Sequence, residues 1–246
     1  VSQKLIYLFV FCLFACRGVV PQESQRIAFP GTGDSGLVAW KAGMPFLVSA
    51  HLIDTGCNWG EAKHDTVPLM KYYRMAGSDN YLACLYDLGE GTFGRWLLFE
   101  VTPAGKVLQR QYFYHGNYGG CGDGFGFGRV DHLFYLRICG TGSAFSAAYL
   151  YLFQQLAGAE EQESITESIW QSIPGRGEQY EYLSGSVVSA RPDTVVIAYS
   201  WETGKNYRDT VLRKVMEQKV FRMVYVKENS HWKATDSAAI TAYFHE

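Results

Sequence analysis

From residue 36 onward the apolar residues come in short runs separated by turn formers, a rhythm that predicts strands rather than helices. Residues 81–88, 95–101 and 106–114 are three such runs. The stretch 89–94, with Gly89, Gly91 and Gly94, and the sequence Thr102, Pro103, Ala104, Gly105 supply turns between them, which predicts an antiparallel meander. The same rhythm recurs in 132–138 with 148–153 and in 194–201 with 219–226. These units begin about 50 to 60 residues apart, somewhat more than the roughly 40–50 residues of a propeller blade. The expected fold class is therefore all-β, built of antiparallel meanders, propeller-like or a β-sandwich, with at most one or two short helices. Two stretches break the strand rhythm. Within 160–173, Ile165, Ile169 and Ile173 recur every fourth residue, predicting a short amphipathic helix stopped by Pro174 and Gly175. Residues 207–216 fit a helical turn or a strand equally well.

The start of the chain follows another pattern. Lys4 is the one charge in the first fifteen residues, and residues 5–15 form an uncharged apolar run. As a helix that run extends about 16 Å, against the roughly 30 Å of a bilayer core. It suits a secretory signal and is too short for a permanent span. It ends in Leu13, Phe14, Ala15 and Cys16, which resembles the lipobox of bacterial lipoproteins, although Phe14 stands where the family more often has a small residue. The resemblance covers about sixteen residues. It implies cleavage before Cys16 and lipid on that thiol; an ordinary signal peptide cut nearby is the alternative. Acyl chains contribute about 0.8 kcal/mol per buried methylene, so a multiply acylated cysteine stays on a membrane where a single chain would not. Arg17, rather than an aspartate, follows the cysteine, and the resemblance then implies the outer membrane in an organism that has one. The expected organisation is a signal peptide over 1–15, a lipidated tether over 16–30 and a single β-rich exported domain over 31–246.

Composition narrows this picture. Tyrosine (17), phenylalanine (15) and glycine (26) are abundant and proline (7) is scarce, which favours pleated sheet and turns. The net charge is −2 with no basic run, so nucleic acid is not an expected partner. Of the six cysteines, Cys12 leaves with the signal and Cys16 carries lipid. Cys57, Cys84, Cys121 and Cys139 remain, with three possible disulfide connectivities in an exported protein. Cys121 and Cys139, flanking one strand-turn region, are the first pair expected. No C-x-x-C pair occurs, which argues against a thioredoxin-like site or a zinc ribbon.

Three motifs carry possible chemistry. Leu52, Ile53, Asp54, Thr55 and Gly56 resemble the catalytic signature of aspartic proteases, in which two carboxylates share a proton and activate water. Asp34-Ser35-Gly36 lies too close to be a second copy, Cys57 replaces the usual small residue, and a strand ending in a turn explains the same residues. Gly33 to Gly36 also resembles the serine segment of chymotrypsin-like proteases, but no histidine precedes Ser35; the segment reads as a turn into the first strand. Residues 115–128 hold seven glycines, with Tyr118, Phe125 and Phe127 as candidate stacking surfaces for a ligand. A wide loop held by Cys121 is the structural explanation. No phosphate-loop lysine is present. The groups His51, Cys57, His64, Asp65 and His115, Cys121, Asp123 match no zinc or calcium spacing, and Asp87 with Glu100 is an acid pair whose separation the sequence does not give.

The expectation is a lipid-anchored binding or interaction module of the cell envelope, more a binder than an enzyme. Its expected partners are the membrane, through lipid on Cys16, and an envelope glycan or protein, met by Tyr118, Phe125 and Phe127. No cofactor or metal is expected. The alternative is an envelope hydrolase, aspartic-protease-like at Asp54 or a glycosidase.

Overall fold

A computed structural model describes residues 26–53, 68–86, 95–114, 126–142, 144–156, 164–173, 178–206, 213–229, 231–236 and 238–239. Cys16, Asp54, Tyr118 and Phe125 lie outside these residues, as do Cys57, His64, Asp65, Asp87, His115, Cys121 and Asp123.

The chain is all-β, in two antiparallel sheets with one short helix. The first sheet is a five-stranded meander of β1 (Ser35–Ala39), β2 (Pro68–Arg74), β3 (Tyr81–Tyr86), β4 (Arg95–Val101) and β5 (Val107–Tyr114), in that order. The helix α1 (Trp40–Ser49) follows β1. The expected meander over 81–114 is present. Its second turn closes through Gly105 N–H donating to the Thr102 carbonyl at 2.9 Å and Lys106 N–H donating to Thr102 Oγ1 at 3.1 Å.

The second sheet has eight strands, ordered β13-β12-β11-β10-β9-β8-β7-β6. These are β6 (Phe127–Val130), β7 (Leu133–Gly142), β8 (Phe145–Phe153), β9 (Ile165–Ser172), β10 (Gln179–Arg191), β11 (Thr194–Asn206), β12 (Arg213–Glu228) and β13 (His231–Ala234). Two stacked sheets of five and eight strands are the sandwich alternative; among the described residues no four-stranded propeller blade is formed.

Where a helix is expected over 160–173, the described residues Ile165–Ser172 form strand β9. A spacing of four is even, so Ile165, Ile169 and Ile173 share a face of a strand as readily as a face of a helix. β-branched Ile and Thr, and the open ladders of β8 and β10 on either side, decide for the strand.

Alternation explains how the layers stack. In β3 and β4, Leu82, Cys84, Trp96 and Leu98 point to one face and meet Phe127, Phe134, Leu136, Ile138 and Phe153 of the second sheet. Tyr81, Ala83, Leu85, Leu97, Phe99 and Val101 point to the other face and pack on Phe46 and Leu47 of α1 and on Phe29. A sheet covered on both faces needs continuous apolar strands, as β3 and β4 have. Phe29 is buried among Phe46, Tyr72 and Tyr81, with ring centroids 5.1 to 5.4 Å away. Packing therefore starts before residue 31, within the stretch expected to be tether.

The second sheet curls around a core of its own, formed by Leu133, Leu152, Ile165, Leu183, Val195, Ile197, Tyr199 and Trp232 among others. The curl carries β13 back to β8, where the Trp232 indole N–H donates to the Leu152 carbonyl at 3.4 Å. Asp131, in the β6–β7 turn, accepts from Ala190 N–H of β10 at 3.0 Å.

The cysteines do not form the expected four-thiol framework. Cys139 is disulfide-bonded, to a partner outside the described residues, whereas Cys84 is a free thiol buried between the sheets. All three connectivities of four paired cysteines are thereby excluded. Among the described residues no helix is long and apolar enough to cross a membrane.

Candidate ligand-binding cleft

The concave face of the second sheet holds a cleft of about 320 Å³ lined by Arg129, Val130, Tyr135, Arg137, Leu150, Glu167, Gly185, Ser186 and Val187. Along β7, the odd residues Leu133, Tyr135 and Arg137 share this face, while the even residues Phe134 and Leu136 face the first sheet. The walls Val130, Tyr135, Leu150 and Val187 are apolar or aromatic, and the charge lies at the floor and the mouth.

The floor is made by an irregularity. Across β8 and β9, Tyr149 pairs with Thr166 and Ala148 with Ser168, which leaves Glu167 as the extra residue of a β-bulge. A bulge re-aims a side chain that a regular ladder would place elsewhere. The Glu167 carboxylate, 10% exposed, meets Arg137 Nη2 at 2.5 Å across the intervening β8. The Tyr199 hydroxyl fixes the bulge by donating to the Thr166 carbonyl at 2.6 Å, and lies 3.0 Å from the Tyr225 hydroxyl. Burial, with the neighbouring Tyr225 and the Glu167 charge, pushes Tyr199 far above the ordinary tyrosine range. Burial also raises Tyr225, against the hydrogen bond it shares with Tyr199, which lowers it. A second bulge leaves Val188 of β10 unpaired with β11, beside the lining residue Val187.

Gly185 belongs to this construction. A Cβ there would fall 2.9 Å from the Glu167 carbonyl oxygen and 2.6 Å from the Tyr199 ring. A glycine between two serines inside a strand is the sequence signal that could have pointed here, since it marks such a close approach.

Arg129, at the mouth, is exposed. Its Nη1 donates to the Arg74 carbonyl at 3.4 Å and its guanidinium stands 5.7 Å over the Tyr73 ring. The same arginine borders a wider, more polar cleft of about 530 Å³ with Asp34, Arg74, Ser78 and Asp79. There Arg74 is matched by Asp34 at 3.4 Å and Asp79 at 3.0 Å.

Of the three stacking residues expected in the glycine-rich stretch, Phe127 is described, and it is a core residue. It is 1% exposed, stacked on Phe134 at 6.3 Å and edge-on to Tyr73 at 5.4 Å. Gly128 beside it leaves room for the Tyr135 ring, which passes 2.3 Å from where a Cβ would lie; that glycine serves packing in β6, not approach to a ligand. Tyr118 and Phe125 fall outside the described residues.

Comparison with known proteins finds no family model that matches the chain, no similar curated protein and no similar solved structure.

Other sequence candidates take structural places. Leu52 and Ile53 follow α1 in a turn, with Leu52 N–H donating to the Leu47 carbonyl at 3.0 Å; no strand leads into Asp54, which lies outside the described residues. Gly33 and Asp34 bend the chain into β1, whereas Ser35 and Gly36, expected in the turn, are already paired with Tyr73 and Tyr72 in the strand. Glu100 accepts from Asn80 at 2.8 Å. His51 sits at φ 52° after α1 and its carbonyl accepts from Arg110 at 3.2 Å. No group of three or more metal-ligating side chains comes together among the described residues.

Proposed function

We propose that the chain is a binding module of the cell envelope, held to a membrane by lipid on Cys16 and taking a small ligand into the cleft of the second sheet. The observation that carries the binding reading is the Glu167–Arg137 pair at the floor of a recess walled by Val130, Tyr135, Leu150 and Val187. Such a pair, with Glu167 10% and Arg137 31% exposed, adds little to stability compared with apolar packing, which is consistent with a role in the cleft. Polar groups placed sparingly in an apolar concavity are the usual make-up of a ligand site. Two bulges and a glycine shape this one. The anchoring half of the proposal rests on the lipobox-like residues 13–16.

The cleft reading is tested by titrating the full chain with a panel of small organic molecules while following the amide and methyl resonances of Val130, Leu150 and Val187. Saturable shifts at these residues, abolished by Val187→Trp, are expected. If every member of the panel leaves them unmoved, the cleft is not a binding site. Metabolic labelling with palmitate, lost in Cys16→Ser, tests the anchor separately.

A further inference from the structure

Resting on that reading of the cleft, we infer that its ligand is a monoanion with an apolar body, of the class of medium-chain or aryl carboxylates, its head group held by Arg129. Within this lining two guanidinium groups, Arg129 and Arg137, stand against one carboxylate, Glu167, while Asp34 and Asp79 on the other side of Arg129 are paired with Arg74, so one positive charge is left over inside the cleft. The leftover belongs to Arg129. Arg137 is engaged with Glu167, whereas Arg129 meets a carbonyl at 3.4 Å and an aromatic face, with no carboxylate in ion-pair range among the described residues.

A guanidinium has five N–H donors in a planar fork that matches a carboxylate. One of Arg129's is spent on the Arg74 carbonyl, which together with the Tyr73 ring holds the group in place at the mouth. Inward of it lie Val130, Tyr135, Leu150 and Val187. A ligand entering head-last therefore leaves its charge at the solvent edge, where desolvation is least, and buries its body.

Volume and charge narrow the class further. At roughly 30 Å³ per water-sized group, about 320 Å³ accommodates a body of about ten heavy atoms. With Glu167 matched by Arg137, Arg129 offers one positive charge, and the second charge of a phosphate dianion would go unmatched, which disfavours it. A cationic head group would meet Arg129 at the mouth, and the Glu167 carboxylate is already occupied by Arg137.

The test is calorimetric titration of the full chain at pH 7 with octanoate, octanol, octylamine and octyl phosphate. Octanoate is expected to bind at least tenfold more tightly than each of the others. Arg129→Gln should lower octanoate affinity to that of octanol, leave octanol unchanged and leave the denaturation midpoint unmoved, while Val187→Trp should abolish both. Equal binding of octanol and octanoate, tighter binding of octyl phosphate, or unchanged octanoate affinity in Arg129→Gln would overturn the assignment of an anionic head group while leaving the cleft as a binding site. No binding of any of the four, or octanoate binding that survives Val187→Trp, would remove the cleft itself.

Discussion

At the scale of single residues, the cleft depends on groups placed where they resist ionisation or solvation. Tyr199 and Tyr225 face each other at 3.0 Å behind the bulge at Glu167, and burial holds both hydroxyls above the ordinary tyrosine range. Unfolded tyrosines release their protons near pH 10, whereas these two keep theirs in the folded chain. The stability that they contribute is present in full below pH ~10 and is lost as the pH rises, because the unfolded state then binds fewer protons than the folded one. Urea unfolding between pH 9 and 11 should show stability falling with pH. In Tyr199→Phe/Tyr225→Phe that fall should be shallower, by up to about two protons per molecule, although the double variant starts less stable at pH 7 because the Thr166 carbonyl loses its donor. An alkaline slope identical in the two proteins would contradict the arrangement.

At the scale of elements, what the sequence made legible was whatever local pattern decides. The meander of β3, β4 and β5 was readable because its apolar runs are bounded by glycine and proline turns. The helix α1 was not. Its ten residues, from Trp40 to Ser49, hold one charge, Lys41, together with Gly43 and Pro45, so no polar face marks a helical period. β9 was read as a helix because isoleucines four apart satisfy both periods. The cleft was illegible for a different reason: Glu167 points inward through a one-residue mismatch between β8 and β9, and register between strands is a tertiary property. Phe127 was misplaced because glycines around an aromatic look the same in a binding loop and in a strand packed under Tyr135. The segment before β1 offers a test at this scale. Phe29 sits in the core beside α1, and its backbone N–H donates to the Pro103 carbonyl at 3.1 Å. Phe29→Ala should cost about 3–5 kcal/mol, read as a lower urea midpoint at unchanged slope. A cost under about 0.5 kcal/mol, usual for surface positions, would restore residues 26–30 to the tether.

At the scale of the whole molecule, three cores lie in series: one between α1 and the first sheet, one between the sheets, and one inside the curl of the second. The middle core is the one that makes a single body of the two sheets, and it contains Cys84. That thiol is fully buried, and burial raises its pKa well above the ordinary value despite the Lys71 charge that lowers it. A thiol without its thiolate is unreactive, so modification of Cys84 by a disulfide reagent should be undetectable in the native chain and should appear in denaturant at the rate at which the layers part. Mass spectrometry of the Cys84 peptide during a urea series checks this; rapid labelling in buffer would mean that the sheets are not packed as described. The sulfur is thus a built-in clock for delamination. If its labelling midpoint precedes the loss of tyrosine fluorescence from the curled sheet, that sheet outlives its junction with the other half and is a folding unit in its own right.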